Sequence, residues 1–176
     1  MDEKSSAFEE LVKAHKEALY RIAYRLTGNR DDAEDLLAEA LMEAWRDFEH
    51  FQQGTEFGRW VATIMTHTYL DWRRKDSHNE TVSLDELRSE ESEEPLDLPD
   101  EHDAPERETL RRAFWRAAQK ALEELPAEFK TVVVLVDMEG LSYEEAAKVL
   151  GCPIGTIRSR LHRARSLLRE KLKDWL

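Results

Sequence analysis

The chain has 176 residues, of which 41% are hydrophobic and 36% are charged, and its formal net charge is −12. This length allows one ordinary domain or two small ones, but the composition excludes one large apolar core. The longest apolar run, Val132 to Val136, is far too short to span a membrane, and residues 1–20 lack the apolar stretch of a secretory signal. The single cysteine, Cys152, can form neither an internal disulfide nor a cysteine-based zinc site. We therefore predict a soluble cytoplasmic protein without metal or cofactor and without membrane contact of its own.

The negative charge is concentrated in the middle of the chain. Residues 1–75 carry 15 acidic and 11 basic side chains, residues 76–109 carry 14 and 2, and residues 110–176 carry 9 and 13. The middle segment also holds three of the five prolines, and its few large apolar residues cannot offset the entropy lost on ordering. The sequence thus predicts two small domains, 1–75 and 110–176, joined by an acidic flexible linker, 76–109.

Both predicted domains are helical. Gly and Pro are scarce, whereas long segments rich in Ala, Leu, Glu, Arg and Lys favour helix, so we predict an all-α fold. In the first domain, apolar residues recur at helical spacing in three segments. Gly28 ends the first helix, and Asp31 with Glu34 has the spacing of a capping box for the second. The third has an apolar face with Phe57, Trp60, Val61, Ile64 and Thr68, and a polar face with Arg59, Thr63, Thr66 and Arg73.

The second domain ends in two helices with the spacing of a helix-turn-helix. Two other predicted helices come before them. The first has an apolar face and ends at Pro126, and the second is short, almost entirely apolar and ends at Gly140. Ser142 and Glu145 form the capping box Ser-x-x-Glu, and Gly151 supplies a left-handed turn. Pro153 suits the first turn of the last helix, where its missing N–H is no loss. The spacing of Ala147, Gly151 and Ile157 matches that of a helix-turn-helix. In that motif the three positions hold a small residue where the helices cross, a glycine in the turn and a branched residue that packs the second helix in place.

The last helix has an apolar and a basic face. Ile157, Leu161, Ala164 and Leu168 fall within a narrow arc, so this side should face the core. From Gly151 to Lys173, seven Arg or Lys residues stand against Glu170 alone. Such a stripe can be an ordinary solvated face, but the capped start, the turn glycine and the spacing favour a recognition helix in a DNA major groove. The candidate contacts are Thr156, Arg158, Ser159, Arg160, His162 and Arg163.

Three segments resemble one bacterial protein family. LEELPAEFKTVVVLVDMEGLSYEEAAKVLGCPIGTIRSRLHRARSLLREKL resembles region 4 of the extracytoplasmic-function (ECF) sigma factors, group 4 of the sigma-70 family. FEELVKAHKEALYRIAYRLTGNRDDAEDLLAEALMEAWRDFEHF resembles their regions 2.1 and 2.2, and FGRWVATIMTHTYLDWRRK their regions 2.3 and 2.4. The resemblance covers about four-fifths of the chain, excepting the linker, in the family's order.

The resemblance implies a sigma factor, which is not an enzyme. Such a protein binds core RNA polymerase at the β′ clamp and β flap and directs promoter-specific initiation, often in a stress response and under an anti-sigma factor. The first domain would read the −10 element, and the second domain the −35 element, through the basic face described above. The implied polymerase contacts are Asp32, Glu34, Asp35, Leu36 and Glu39. The implied −10 contacts are Gln52, Gln53, Arg59, Thr63, His67, Arg73 and Lys75.

Two residues depart from the family pattern. Ala38 stands where many relatives have a glutamine at the clamp face, and His67 replaces the asparagine of region 2.4. The first departure concerns one of the expected polymerase contacts, and because of the second the −10 preference cannot be taken over from the family.

Two other readings stay open at this point. A helix-turn-helix regulator that does not join polymerase would explain the last 40 residues, but not the first domain. An enzyme could use the carboxylates Asp31, Asp32, Glu34 and Asp35, but catalysis would need a partner histidine or a shaped pocket. The same acids could also simply stabilise a helix N-terminus.

Overall fold

A computed structural model describes residues 2–52, 54–78 and 105–176, and every regular element in these ranges is a helix. The all-α prediction is confirmed. Within these ranges no helix combines the length and the apolarity needed to cross a membrane. Seven α-helices follow in chain order: α1 Glu3–Thr27, α2 Arg30–Arg46, α3 Phe57–His78, α4 Pro105–Glu123, α5 Ala127–Val132, α6 Tyr143–Leu150 and α7 Ile154–Lys171. Short 3-10 turns span Phe48–His50 and Lys173–Trp175, and a π-helical turn, Val133–Met138, extends α5.

The helices reach further into the predicted linker than expected. Residues 79–104 lie outside the described part of the chain, whereas 76–78 continue α3 and 105–109 open α4. No glycine or proline interrupts the end of α3, so its helix runs on past Lys75. Pro105 stands at the first position of α4, where a missing N–H leaves no helical hydrogen bond unmade.

The junction between α1 and α2 is built by Gly28 and Asn29. Gly28 adopts φ +82° and donates its N–H to the Tyr24 carbonyl at 2.8 Å, which confirms it as the end of α1. The Asn29 side chain accepts the N–H of Asp32 at 2.8 Å and so caps α2. The predicted capping box of Asp31 and Glu34 is therefore wrong. Because the helix begins at Arg30, Asp31 lies inside its first turn, where a negative charge interacts favourably with the helix dipole.

The first domain packs α1, α2 and α3 around one apolar core. One predicted surface residue, Thr66, belongs to this core with 0% exposure. Its hydroxyl donates to the Ala62 carbonyl one turn earlier, at 2.7 Å, so burial leaves no polar group unsatisfied. The most completely buried large side chains of this core are Leu19, Leu26, Leu36, Phe57, Val61 and Met65.

The second domain has its own core between α4, α5, α6 and α7. The π-helical turn closes with a bond from the Glu139 N–H to the Val134 carbonyl at 2.9 Å, and Gly140 follows at φ +75°. The predicted break at Gly140 is confirmed. Buried apolar side chains of this core are Leu122, Leu125, Val132, Val133, Ala146, Ile157, Leu161 and Ala164.

The two domains also contact each other. Val134 of the π-helical turn is fully buried in the core of the first domain. Arg25 of α1 forms an ion pair with Glu139 at 2.6 Å, and Lys130 of α5 reaches the carbonyl of Leu26 at 3.0 Å. The second domain is therefore docked on the end of α1 and on α3.

Candidate nucleic-acid interface

The first helix of the helix-turn-helix begins with the predicted capping box. The Glu145 N–H donates to Ser142 Oγ at 3.0 Å, and the Ser142 N–H donates to Glu145 Oε1 at 3.2 Å. The hydrogen bond from the Ser142 backbone, aided by the Ser142 hydroxyl and by the nearby Arg59, lowers the pKa of Glu145. Gly151 ends α6 at φ +63°, as predicted.

The last helix, α7, is fixed by its apolar face. It begins at Ile154, so Pro153 is its N-cap and does not lie in its first turn. The Pro153 carbonyl accepts hydrogen bonds from the N–H groups of Thr156 and Ile157. A residue at the N-cap needs no N–H for the hydrogen bonds within the helix, so proline is tolerated here as well. Ile157, Leu161 and Ala164 are at most 1% exposed, so the core sets the rotation of α7 about its axis.

The opposite face of α7 presents the predicted −35 contacts. Arg158, Ser159, His162 and Arg163 are exposed, whereas Thr156 and Arg160 are half-buried at its edges. The Arg163 guanidinium lies 5.7 Å from the centroid of the Phe129 ring, a cation–π contact that supports it from α5. Sequence reasoning missed this support, because Phe129 and Arg163 belong to different periodic segments.

The basic stripe divides into two parts. In the later part, Arg165 binds Asp137 through two hydrogen bonds of 2.5 and 3.0 Å, which raise the pKa of its guanidinium. Lys171 pairs with Glu124, and Lys173 with Glu170 at 3.3 Å. Earlier in α7, the ion pairs found in the described part of the chain leave Arg158, Arg160 and Arg163 without an acidic partner. Arg169, in the last turn, is also exposed and has no acidic partner among these ion pairs, so the positive charge available to a phosphate backbone is concentrated between Arg158 and Arg163 but is not confined there.

Helix α3 carries a second stripe, made of the predicted −10 contacts. Arg59, Thr63 and His67 follow one another at four-residue spacing; Thr63 is half-buried, and Arg73 and Lys75 extend the exposed surface towards the helix end. Gln52 is exposed in the preceding loop, where its carbonyl accepts the Thr55 hydroxyl at 2.6 Å. Gln53 lies outside the described residues. Trp60, beside this stripe, is half-buried against Phe51, with ring centroids 4.9 Å apart.

Helix α2 presents the predicted polymerase contacts, with one exception. Leu36 is 0% exposed and packs in the core of the first domain, on the side of the helix opposite to Ala38, so it presents no side chain at this surface and its contact with polymerase stays a prediction. Asp32, Glu34, Asp35 and Glu39 are exposed.

The acidic face of α2 also contains an apolar residue that sequence reasoning missed. Met42 lies seven residues after Asp35, hence on the same side of the helix, and it is 65% exposed. In the sequence, Met42 looks like the apolar residues around it that form the core. Its exposure became clear only from the structure.

A side-chain contact links the α2 and α3 surfaces. The indole N–H of Trp72, in α3, donates to Glu39 Oε2 at 2.9 Å. The acidic face of α2 and the stripe of α3 therefore lie on neighbouring helices of the same domain, whereas the α7 face belongs to the other domain.

Comparison with known proteins identifies both domains. A family model for Sigma-70 region 2 matches residues 11–79, and one for Sigma-70 region 4 matches residues 115–168. ECF RNA polymerase sigma factor SigE of Mycolicibacterium smegmatis is 41% identical over 94% of this chain and 62% of its own length. The ECF RNA polymerase sigma-E factor of Haemophilus influenzae is 31% identical over 95% of this chain and 88% of its own length.

A solved structure has a similar fold. The sigma factor RpoE of Bartonella quintana, crystallised in complex with the anti-sigma factor NepR, matches with a TM-score of 0.70 and 29% identity, over 95% of this chain and 97% of that one. Its fold, the two family models and the relatives agree in placing a region 2 domain before a region 4 domain in this chain. This chain belongs to the ECF family of RNA polymerase sigma factors.

Proposed function

We propose that this protein joins core RNA polymerase through the acidic face of α2 and reads promoter DNA with the stripe of α3 and the outer face of α7. The observation that carries the proposal is the presence of all three surfaces in one chain, each held in place by a separate buried face. A regulator that acts without polymerase would need only the α7 face.

Each surface has chemistry suited to its proposed partner. Arginine can bind guanine edges bidentately or hold phosphate, and Ser159 and Thr156 can contribute weaker hydrogen bonds. The carboxylates of Asp35 and Glu39 suit a basic partner surface, and Met42 beside them offers an apolar anchor. On α3, Arg59 and His67 can contact a phosphate or a base of the −10 strand.

The chain's own role is recognition, and we assign it no catalytic step and no cofactor. It acts where core polymerase acts, in the cytoplasm. Because the Bartonella quintana relative was crystallised with an anti-sigma factor, we infer that a protein of that class controls this chain as well. The β flap is the proposed polymerase contact of the second domain.

DNA binding with and without polymerase tests this function. A duplex carrying −10 and −35 elements, selected from fragments retained by the reconstituted complex, is titrated with the chain alone and with the chain plus core polymerase. We expect specific, salt-resistant binding only when core polymerase is present. Equally tight specific binding by the chain alone would favour the independent regulator.

A further inference from the structure

Arg163, on the outer face of α7, lies against an aromatic ring of another helix. Its guanidinium carbon is 5.7 Å from the centroid of the Phe129 ring, within the distance at which a ring face attracts a cation. Arg163 is exposed, and among the ion pairs of the described residues it has no acidic partner. The neighbour that holds its guanidinium in this structure is therefore a ring and not a carboxylate.

Phe129 is itself held in place by the second domain. It stands in α5, whose first turn closes with hydrogen bonds from the N–H groups of Phe129 and Lys130 to the Pro126 carbonyl, at 3.0 and 2.9 Å. Phe129 is half-buried and packs against the core cluster that contains Ile157 of α7. One core therefore fixes both the helix that carries Arg163 and the ring that its guanidinium contacts.

A contact with a ring does not compete with the recognition of a base. The five N–H donors of a guanidinium point outwards in its plane, so its face can lie on a ring while its edge binds a guanine bidentately. A carboxylate would accept the same N–H groups and would have to be displaced before DNA could bind. Arg165, two residues later, is in that second situation, because it donates two hydrogen bonds to Asp137.

The ring also restricts the Arg163 side chain before DNA is present. Arginine has many rotamers, and ordering them at a base is one of the costs of binding. A cation–π attraction of the size usual at exposed sites changes an equilibrium constant about two- to fivefold. Because bidentate hydrogen bonds need a defined orientation, loss of the ring should weaken the contact with the correct base more than the contact with a wrong base.

We propose that Phe129 is a positioning residue for the −35 element, which holds the Arg163 guanidinium in place and thereby sets how strongly one base pair is preferred. The inference rests on the proposed function, which assigns Arg163 to the −35 element. Helix α5 then belongs to the unit that reads DNA, although Phe129 acts only through Arg163.

Four variants separate the role of the ring from that of the core. Phe129→Leu removes the ring and keeps an apolar side chain against the core, whereas Phe129→Tyr keeps the ring and is the conservative variant. Leu122→Val trims the same core from α4 and is the control for lost packing. Arg163→Ala identifies the base pair that Arg163 reads, because discrimination at that position is lost.

The contact itself is measured by NMR on the free, ¹⁵N-labelled full chain. A proton above the face of an aromatic ring resonates upfield of its usual position. The Nε–H signal of Arg163, assigned by its disappearance in Arg163→Ala, should therefore move downfield in Phe129→Leu. It should stay near the parent position in Phe129→Tyr and Leu122→Val. An unmoved signal in Phe129→Leu overturns the inference.

The consequence for DNA is measured with core polymerase complexes of each variant, on promoters that differ at single base pairs of the −35 element. We expect Phe129→Leu to lower discrimination about two- to fivefold at the base pair read by Arg163. Discrimination at the other base pairs and the salt dependence of binding should be unchanged, because no charge is lost. Phe129→Tyr and Leu122→Val should match the parent. Added to Arg163→Ala, Phe129→Leu should have no further effect.

A uniform loss at every base pair, or an equal loss in Leu122→Val, would show that Phe129 serves only the stability of the domain. The inference is also wrong if Arg163→Ala relaxes no base pair, or if Phe129→Leu has its full effect in the Arg163→Ala background. Promoter-specific initiation by the parent together with unchanged discrimination in Phe129→Leu overturns the inference alone. If the parent complex initiates at no promoter, the proposed function is itself wrong and the inference falls with it.

Discussion

Single residues of α7 differ in function although they share one basic stripe. Arg163 is exposed on the outer face and supported by Phe129, whereas Arg169 lies in the last turn of the helix. The N-terminal part of a recognition helix enters the groove, so the last turn is expected to lie beyond the bases. Arg163 should therefore contribute to −35 recognition and Arg169 should not.

We expect Arg163→Ala to weaken −35-dependent transcription by about 1–3 kcal/mol, the usual loss for a side chain that contacts a base. Arg169→Ala, which removes the same charge from the same helix, is the control and should have little effect. The readout is multi-round transcription with core polymerase at moderate salt, on promoters with an intact or a scrambled −35 element. Equal losses for the two variants would show that α7 contributes only general positive charge.

Residue-level predictions from the sequence succeed where the determinant is local. The capping contacts of Ser142, Glu145 and Gly151 join residues only three or four positions apart, so these roles follow directly from the spacing in the sequence. Leu36 and Thr66 are buried although both were expected at a surface, because neither a resemblance nor a polar side chain fixes the direction in which a residue faces. Burial decided both, since Leu36 packs in the core and Thr66 satisfies its hydroxyl within its own helix.

At the scale of elements, α2 combines a structural face and a docking face. Its inner side packs against α1 and α3, and its outer side carries the exposed Asp35, Glu39 and Met42. Because the two faces are separate, charge on the outer face can be reversed without disturbing the core.

Changing Asp35 and Glu39 together to Lys should abolish binding to core polymerase, because like charges would then face a basic partner. The helical signal should be unchanged and the thermal midpoint nearly so, although the contact from Trp72 to Glu39 is lost. Pull-down of purified core polymerase measures the binding. Glu10 and Glu17, exposed acids on α1, provide the control when both are changed to Lys, with the same change in net charge. Unfolding of the α2 variant, or equal loss of binding by the control, would argue against a docking face.

The number and order of the helices follow from apolar periodicity, but their ends do not. Asn29 caps α2 two residues before Asp31, the predicted N-cap, because either Asn or Asp suits that position and the turn at Gly28 directly precedes Asn29. The π-helical turn of Val133–Met138 is invisible in a continuous apolar run, where helical and π-helical spacing cannot be told apart.

The arrangement of the whole molecule is the feature that sequence patterns left unpredicted. Lys130 stands between Phe129 and Thr131 in α5, and nothing in this part of the sequence indicates the Leu26 carbonyl, more than 100 residues away. Contacts between domains depend on complementary shapes and charges, and these leave no periodic pattern in the sequence. The maximum reach between the domains does follow from length, because the 26 residues 79–104 between α3 and α4 can span about 85–95 Å when extended.

The central claim, that this chain directs RNA polymerase to promoters, is tested most directly by sequencing the 5′ ends of transcripts made with purified core polymerase on genomic DNA. We predict start sites present only when the chain is added, preceded by a shared −10 and −35 pair at fixed spacing. Transcripts with the same 5′ ends with and without the chain would contradict the account.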